Sequence, residues 1–206
     1  MNIADSFKDK TLVITGGTGS FGSTVLKHFL TSEIGEIRII SRDEKKQDMM
    51  RHILQARYPD HAGKVQFYVG DVRSIESVRD VMYGADYVFH AAALKEVPSC
   101  EFFPMEAVRT NIIGTDNVIT AAVENRVERV VFLSTDKAAY PINAMGMTKA
   151  VGEKVVAARA QKAFERGVRS CPVPDTAMLC AAEEVSFRFS STRSSARHRS
   201  PLRIPT

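Results

Sequence analysis

Short apolar runs alternate with longer amphipathic segments between residues 11 and 160, and this alternation limits the folds open to the chain. Five runs have the length and composition of buried strands, at residues 11–15, 37–41, 65–69, 87–91 and 129–134. The segments between and after them predict helices at residues 20–31, 43–58, 74–82, 105–124 and 144–160. Strands buried on both faces and joined through helices form parallel sheets with right-handed crossovers. We therefore expect a doubly wound α/β domain with a parallel sheet.

Length and composition agree with one globular domain, or with one domain and an extension. The chain has 206 residues, of which 44% are hydrophobic and 25% are charged, as in a soluble protein with a sizeable core. Its net charge of +4 is uneven, because residues 164–206 contain seven arginines and only four acidic residues. Residues 1–163 carry a net charge of only +1, so we expect no nucleic-acid partner for the main domain.

The three cysteines, Cys100, Cys171 and Cys180, are too few and too scattered for a disulfide framework or a zinc site. No segment approaches the roughly 18 apolar residues of a membrane span. The N-terminus also lacks the basic and apolar regions of a secretory leader. We therefore expect no bound metal, no membrane partner and a cytoplasmic location.

A glycine-rich turn joins the first predicted strand to the first predicted helix, with the sequence Gly16-Gly-Thr-Gly-Ser-Phe-Gly22. Gly16 permits a tight turn, Gly19 lets the backbone approach a pyrophosphate, and Gly22 allows close packing of the helix. The helix N-terminus adds amide donors and a positive dipole. A purely structural turn is the alternative. The pattern predicts a Rossmann-like dinucleotide site whose members are Gly16, Thr18, Gly19, Ser20, Phe21 and Gly22.

The ends of the second and third predicted strands indicate which dinucleotide would bind. Arg42 follows the second strand and would accommodate the 2′-phosphate of NADP, so we expect NADP rather than NAD. The neighbouring Asp43 could bind ribose hydroxyls or cap the next helix. Asp71 and Val72 follow the third strand, where the Asp71 carboxylate could reach the adenine amino group or cap a helix. Both pairs of alternatives remain open on the sequence.

Small residues end the fourth predicted strand. Ala91, Ala92 and Ala93 leave room for the nicotinamide ribose of a cofactor, although close packing between elements would also select them. His90 precedes them and suits a packed core histidine better than a catalyst.

The fifth predicted strand ends in Ser134-Thr-Asp-Lys137, and Lys149 follows on the next predicted helix. Since the carboxyl ends of parallel strands meet at one edge of a sheet, Asp136, Lys137 and Lys149 should lie close together. A Tyr-x-x-x-Lys pair would ordinarily mark a dehydrogenase-type site, but the tyrosine position is Met145, whose thioether cannot accept a proton. The alternatives are an exposed turn for the Asp-Lys pair and a solvated surface lysine for Lys149.

Together these motifs resemble the extended short-chain dehydrogenase/reductase superfamily. They are most similar to its bacterial polysaccharide-biosynthesis branch, which dehydrates UDP-N-acetylglucosamine at C4 and C6. The resemblance spans about residues 8–163 and rests on residues 16–22, 90–95, 111–117, 134–137 and 141–143. It implies a UDP-sugar substrate and a homo-oligomer.

The resemblance also implies a reaction and a role for each residue. In that branch NADP⁺ takes hydride from sugar C4, the C5 proton and the C6 hydroxyl are lost, and hydride returns to C6. Lys137 is then the base at C5, Asp136 the acid for the departing hydroxyl, and Thr135 the donor to the C4 oxygen. Lys149 is placed on the nicotinamide ribose. A crowded lysine that loses its proton and a partly buried acid that keeps its own would suit these roles.

Met145 departs from the tyrosine pattern, but members of this branch that also invert C5 are similar in carrying Met at this position. Tyr140 is a candidate substitute base. Lys95 could contact the cofactor or be a surface lysine. Asn111 could orient the active-site helix and a water molecule, or cap a turn.

The tail from residue 164 matches nothing in the branch as written. Residues 186–201 are rich in Ser and Arg and lack periodicity, so we expect residues 1–163 to form the NADP-binding domain and residues 164–206 to be disordered. A two-base shift from Asp175 can encode Tyr-Gly-Tyr-Val-Met-Cys-Ser-Arg-Gly-Ser-Val-Ile-Pro-Leu-Phe, which resembles the branch's next segment. We infer a frameshift between about Ala163 and Ser170 that removes the sugar-binding part.

The sequence therefore predicts a UDP-N-acetylglucosamine 4,6-dehydratase, with or without C5 epimerisation, for capsule or O-antigen polysaccharide synthesis. Its turnover should be impaired if the sugar-binding part is lost. The alternatives are a UDP-sugar 4-epimerase, which needs the same cofactor but no elimination, and an inactive NADP-binding remnant.

Overall fold

The computed structural model of the chain describes residues 7–165 and 178–181, which form strands and helices in alternation. The strands are β1 Thr11–Thr15, β2 Glu36–Ser41, β3 Val65–Val69, β4 Tyr87–His90, β5 Arg129–Thr135 and β6 Met178–Ala181. The α-helices are α1 Ser20–Leu30, α2 Glu44–Arg57, α3 Pro59–Ala62, α4 Ile75–Met82, α5 Val97–Phe102, α6 Pro104–Ala107, α7 Gly114–Glu124 and α8 Ala144–Glu165. A π-helix at Val108–Ile113 and a 3₁₀-helix at Asp136–Ala138 complete the described elements. Within these residues no helix is long and apolar enough to cross a bilayer.

The strands form one parallel sheet in the order β3-β2-β1-β4-β5-β6, with hydrophobic layers on both faces. Side chains alternate along β1, so that Val13 packs in the layer that contains α4 and α7, and Ile14 packs in the layer that contains α1. The predicted doubly wound α/β fold with a Rossmann-like sheet is confirmed.

Helix boundaries differ from the sequence prediction around residues 97–124. The single helix expected at 105–124 is divided into α6, the π-helix and α7, and α5 precedes them. Proline stands in the first turn of both α5 and α6, where its missing N–H leaves no internal hydrogen bond unmade, so each proline begins a new helix. The wider turns of the π-helix include Asn111.

Part of the segment expected to be disordered has regular structure. Helix α8 continues to Glu165, and Met178–Ala181 form β6 in parallel register with β5. These four residues are apolar and pair with the outer backbone groups of β5, which explains why they depart from the prediction for the tail. Residues 166–177 and 182–206 lie outside the described residues, and the inferred frameshift remains a prediction.

His90 lies at the centre of the sheet and is hydrogen-bonded on both ring nitrogens. Its Nδ1 is 2.6 Å from the Thr15 hydroxyl oxygen of β1, and its Nε2 is 3.1 Å from the Thr115 hydroxyl oxygen of α7. The Thr115 hydroxyl donates to the Asn111 carbonyl at 2.7 Å and must therefore accept from His90. Nε2 thus carries the proton, and Nδ1 accepts from Thr15. The prediction of a core histidine is confirmed.

The same hydrogen bonds continue to the start of α8. The Asn111 side-chain amide donates to the Thr148 hydroxyl at 3.0 Å, and that hydroxyl donates to the Met145 carbonyl at 2.9 Å. We call the five residues Thr15, His90, Thr115, Asn111 and Thr148 the buried polar chain, since all five side chains are buried. It joins β1, β4, the π-helix, α7 and α8 in one connected network.

His90 should make the folded state sensitive to acid. Burial, and then the charge of Lys149, lower the pKa of His90 from 6.5 to about 3, so the folded protein disfavours the protonated ring. The unfolded chain takes up this proton below about pH 6.5, and stability falls as the pH drops from there towards 3. Urea unfolding should show a loss of about 2 kcal/mol between neutral pH and pH 5 from this residue. His90→Gln, which cannot titrate, should lack that loss, and an unchanged pH slope in this variant would contradict the assignment.

Candidate active site

Two glycines of the turn after β1 are required by contacts within the turn and with β4. Gly16 has φ +67°, and a Cβ atom there would lie 2.8 Å from the Cα of Ala92. A Cβ atom at Gly22 would lie 2.6 Å from the Cα of Gly17, so α1 begins directly against the turn. The positive φ at Gly16 and the short separations at both positions exclude larger residues. The turn therefore holds the end of β1 next to the end of β4.

Helix α1 presents its first amides without a side-chain cap. Gly19 is its N-cap residue, and no acidic residue stands in the first turn. Ser20 is exposed and Thr18 is half-buried beside it. A helix start without a side-chain cap and the positive end of the helix dipole suit a pyrophosphate. The Phe21 ring stacks on Phe89 of β4 at 5.6 Å, so it anchors α1 to the sheet.

Asp71 lies after β3 within a cluster of arginines. Arg73 Nη2 is 2.6 Å from its carboxylate, and exposed Arg42 from the end of β2 is 4.0 Å away. Burial alone would raise the pKa of Asp71, but the hydrogen bonds from Arg73 outweigh it and hold the pKa below its ordinary value. Ser74, not Asp71, caps α4 by accepting from the Ser77 amide. Of the two alternatives for Asp71, helix capping is therefore wrong.

Asp43 and Gln47 fix the ends of β2 and β3. Asp43 caps α2 by accepting from the Lys46 amide at 3.0 Å, so the capping alternative for this residue is confirmed. Gln47 is buried and donates to the carbonyl oxygens of Ser41 and Tyr68, at 3.0 and 2.7 Å. Gln47 was not among the residues predicted from the sequence. The sequence pattern that could have identified it is a polar residue one turn into a helix that follows directly after a strand.

The loop after β4 is held by Asn111. Its side-chain oxygen accepts from the Leu94 amide at 2.8 Å, and its amide group donates to the Leu94 carbonyl at 3.0 Å. With its further bond to Thr148, Asn111 orients α8, as one of the two alternatives predicted. The three alanines that precede Leu94 in the chain, Ala91, Ala92 and Ala93, are half-buried. Lys95, which follows Leu94, is exposed. Val72 lies in the core, and its carbonyl accepts from Asn117.

Lys149 is buried, with only 6% of its surface exposed. Its Nζ donates to the Leu133 carbonyl of β5 at 2.5 Å and lies 4.1 Å from the centroid of the Phe132 ring. Burial lowers the pKa of Lys149 from 10.5 to about 8, against the opposing charge of Glu153. The alternative of a solvated surface lysine is wrong, because this ammonium is buried and hydrogen-bonded to the backbone of β5.

Thr135, Asp136 and Lys137 form a compact turn at the end of β5. The Thr135 hydroxyl donates to the Asp136 carboxylate at 3.0 Å, and the Lys137 backbone amide donates to the same oxygen at 2.8 Å. The hydroxyl first, and then this amide, lower the pKa of Asp136. Asp136 is exposed and ionised, so the expected partly buried acid that keeps its proton is not found in this structure.

Met145 is buried away from solvent and packs against Cys100 and Ala107. It fills an apolar cluster and presents no proton acceptor. Tyr140 is 89% exposed in the loop before α8. Gly146 follows Met145, and a Cβ atom there would collide with the Lys137 carbonyl oxygen. This glycine, which the sequence analysis missed, lets α8 begin directly against the turn that carries Lys137.

These residues together fit a dinucleotide and include no metal site. The tight glycine turn at Gly16, the start of α1 without a side-chain cap, and the arginines beside Asp71 match a pyrophosphate and a ribose at the carboxyl edge of the sheet. Among residues 7–165 and 178–181, no three His, Cys, Asp or Glu side chains lie close enough to hold a metal ion.

Comparison with known proteins shows the family of the chain. The model of the polysaccharide biosynthesis protein family matches residues 12–175. The chain is 59% identical over 159 residues to a UDP-glucose 4-epimerase of Rickettsia typhi. The match covers 75% of this chain and 45% of that relative. The chain thus spans less than half the length of the curated relatives it matches.

Solved structures give the same fold. Pen from Bacillus thuringiensis has a TM-score of 0.72 and 37% sequence identity, over 78% of this chain and 47% of its own. MoeE5 in complex with UDP-glucose and NAD has a TM-score of 0.60 and 26% identity, over 73% of this chain and 49% of its own. Because the family model matches most of the chain, the chain belongs to the polysaccharide biosynthesis protein family, whose NAD(P)-dependent short-chain dehydrogenase/reductase enzymes modify sugar nucleotides.

Proposed function

We propose that the chain acts on UDP-N-acetylglucosamine as a 4,6-dehydratase with NADP as its cofactor. The observation that carries the proposal is the turn Thr135–Asp136–Lys137 at the carboxyl end of β5, in which the Thr135 hydroxyl and the Lys137 backbone amide both donate to the Asp136 carboxylate. Elimination of water from a sugar needs both a base and an acid near neighbouring carbons. Buried Lys149 lies one turn into the adjoining helix.

NADP, when bound, accepts hydride from C4 of the sugar and returns it to C6. Arg42 supports this choice over NAD, because its exposed guanidinium stands at the end of β2 where a 2′-phosphate would lie. Its ion-pair distance of 4.0 Å to Asp71 leaves donors available to a phosphate. The NAD in the MoeE5 complex belongs to that protein, and NAD remains the alternative cofactor.

The chain's residues move protons in two stages in this proposal. The C4 hydroxyl passes its proton through the Thr135 hydroxyl to ionised Asp136, since the two side chains are already hydrogen-bonded and Met145 offers no acceptor. Lys137 then removes the C5 proton and returns a proton to C5 once hydride has reached C6. Asp136 delivers the proton it holds to the departing C6 hydroxyl. A bound sugar that covers Asp136 would raise its pKa and favour this protonated state.

A second candidate is a UDP-glucose 4-epimerase, and the printed names of the relatives support it more directly than they support dehydration. Relatives that are 59% and 58% identical carry this name. Epimerisation begins with the same oxidation at C4 but returns hydride to that carbon, so it needs neither a base at C5 nor an acid at C6. The mass of the product separates the two reactions.

Single-turnover incubation of the protein, in excess over UDP-N-acetylglucosamine and with NADP⁺, should give a product lighter by one water molecule. Mass spectrometry of the nucleotide fraction measures it. Protein in excess allows detection even if turnover is poor. Lys137→Met should reduce the yield by roughly a hundredfold or more, because it removes the base. A product with the mass of the substrate but a different chromatographic retention time would establish the epimerase reaction, and recovery of unchanged substrate alone would contradict both proposals for this chain.

Arg42→Ala should weaken NADP⁺ binding by roughly tenfold or more, because it removes a charged donor to the 2′-phosphate. NAD⁺ binding should change by less than about twofold, since NAD lacks that group. Isothermal titration with both dinucleotides measures the ratio. Lys45→Ala is the matched control, as Lys45 is an exposed cation on the following helix. Equal weakening for both dinucleotides would argue against a 2′-phosphate site at Arg42.

A further inference from the structure

Three consecutive residues at the end of β5 hold two residues of α8. The Phe132 ring lies against the Lys149 ammonium, and the Leu133 carbonyl accepts its hydrogen bond. The hydroxyl of Ser134 donates to the Glu153 carboxylate. Lys149 and Glu153 are one helical turn apart and so lie on the same face of α8. The strand end therefore orients a cation and an anion together.

Gly152 explains how α8 comes so close to the strand. A Cβ atom at this position would lie 2.9 Å from the Asn111 carbonyl oxygen and 3.2 Å from Cζ of Phe132. A larger residue would push the helix away from both the π-helix and β5. Gly152 is buried at this contact, and the close approach of α8 to β5 reduces solvent screening of the charges beside it.

Glu153 is the carboxylate that acts on Lys149, and the other charged groups near α8 have partners of their own. Burial lowers its pKa, and the Glu153 carboxylate opposes that effect. On β4, His90 is neutral near pH 7 because burial and then the Lys149 charge lower its pKa. Charged groups on other elements near α8 bind elsewhere: Glu101 to the Ala144 amide, Glu106 to Arg73 and Arg109, Asp116 to Arg159, and Asp136 to Thr135 and the Lys137 amide.

We propose that Glu153, held in place by Ser134, is the counter-ion that keeps Lys149 protonated at neutral pH. It is a positioning residue, because it acts through Lys149 and not on a substrate. A protonated Lys149 makes charge-assisted hydrogen bonds to ribose hydroxyls and attracts the electron-rich face of a ring, whereas a neutral amine makes only weaker hydrogen bonds. The consequence for catalysis rests on the proposed function, but the coupling of the two charges does not.

The titration of Lys149 tests this directly in the full 206-residue chain. Protein labelled with ¹³C at lysine Cε is titrated by NMR, and the Lys149 signal is assigned by its loss in Lys149→Arg. Glu153→Gln should lower the midpoint of Lys149 by about one pH unit, because it removes a nearby opposite charge. Ser134→Ala should give a smaller decrease, since the carboxylate remains but is no longer held. Glu165→Gln is the control, as Glu165 lies exposed at the far end of α8.

An unchanged midpoint in folded Glu153→Gln would overturn the proposal, and so would an equal decrease in Glu165→Gln. Circular dichroism confirms folding, and Ser134→Ala carries the test if Glu153→Gln does not fold. In that case an unchanged midpoint in Ser134→Ala overturns the proposal. The titration needs neither sugar nor dinucleotide. A decrease in the midpoint without any sugar product would therefore leave this proposal standing and reject only the proposed function.

Discussion

A neutral histidine buried between two threonines holds the carboxyl edge of this sheet together. His90 accepts from Thr15 and donates to Thr115, and its partners extend through Asn111 to Thr148 at the start of α8. No described buried side-chain nitrogen or oxygen lacks a partner, so the network is closed. A satisfied polar network in a low-dielectric interior fixes its elements strongly, whereas a broken one is costly. The turn after β1, the loop after β4 and α8 thus take their positions from one set of bonds.

One part of the candidate site is buried and fixed by contacts, and another part is exposed to solvent. Lys149 is fully held by the strand end, and its buried ammonium contacts a carbonyl and an aromatic ring. Asp136 is exposed on the neighbouring turn and bound only by local donors. Such a division suits an enzyme in which the cofactor side is preorganised and the sugar side is completed by the substrate. It also explains why the Asp136 carboxyl has a lowered pKa here.

The fold was predictable because each strand and helix has a strong period and a clear boundary, and the five predicted strands agree with β1–β5 within one residue at either end. Proline placement and the π-helix divided the region before α7, which periodicity does not reveal. The sequence indicates which residues follow the carboxyl ends of the strands, but it does not reveal which of them are buried or how their pKa values shift. Burial of Lys149 and exposure of Asp136 depend on Gly146 and Gly152, whose effect arises from contacts distant in sequence. Gln47 was missed because its partners lie on two other strands.

We infer that the elements joined by the buried polar chain form a dinucleotide site within the described residues. Equilibrium binding of NADPH to the 206-residue chain, followed by the fluorescence of the cofactor, tests this inference. We expect saturable binding at one site per chain and its loss in folded Gly22→Val, because a side chain there would displace α1 from the turn. Folded wild-type protein that shows no saturable binding, or Gly22→Val that binds as tightly, would contradict it.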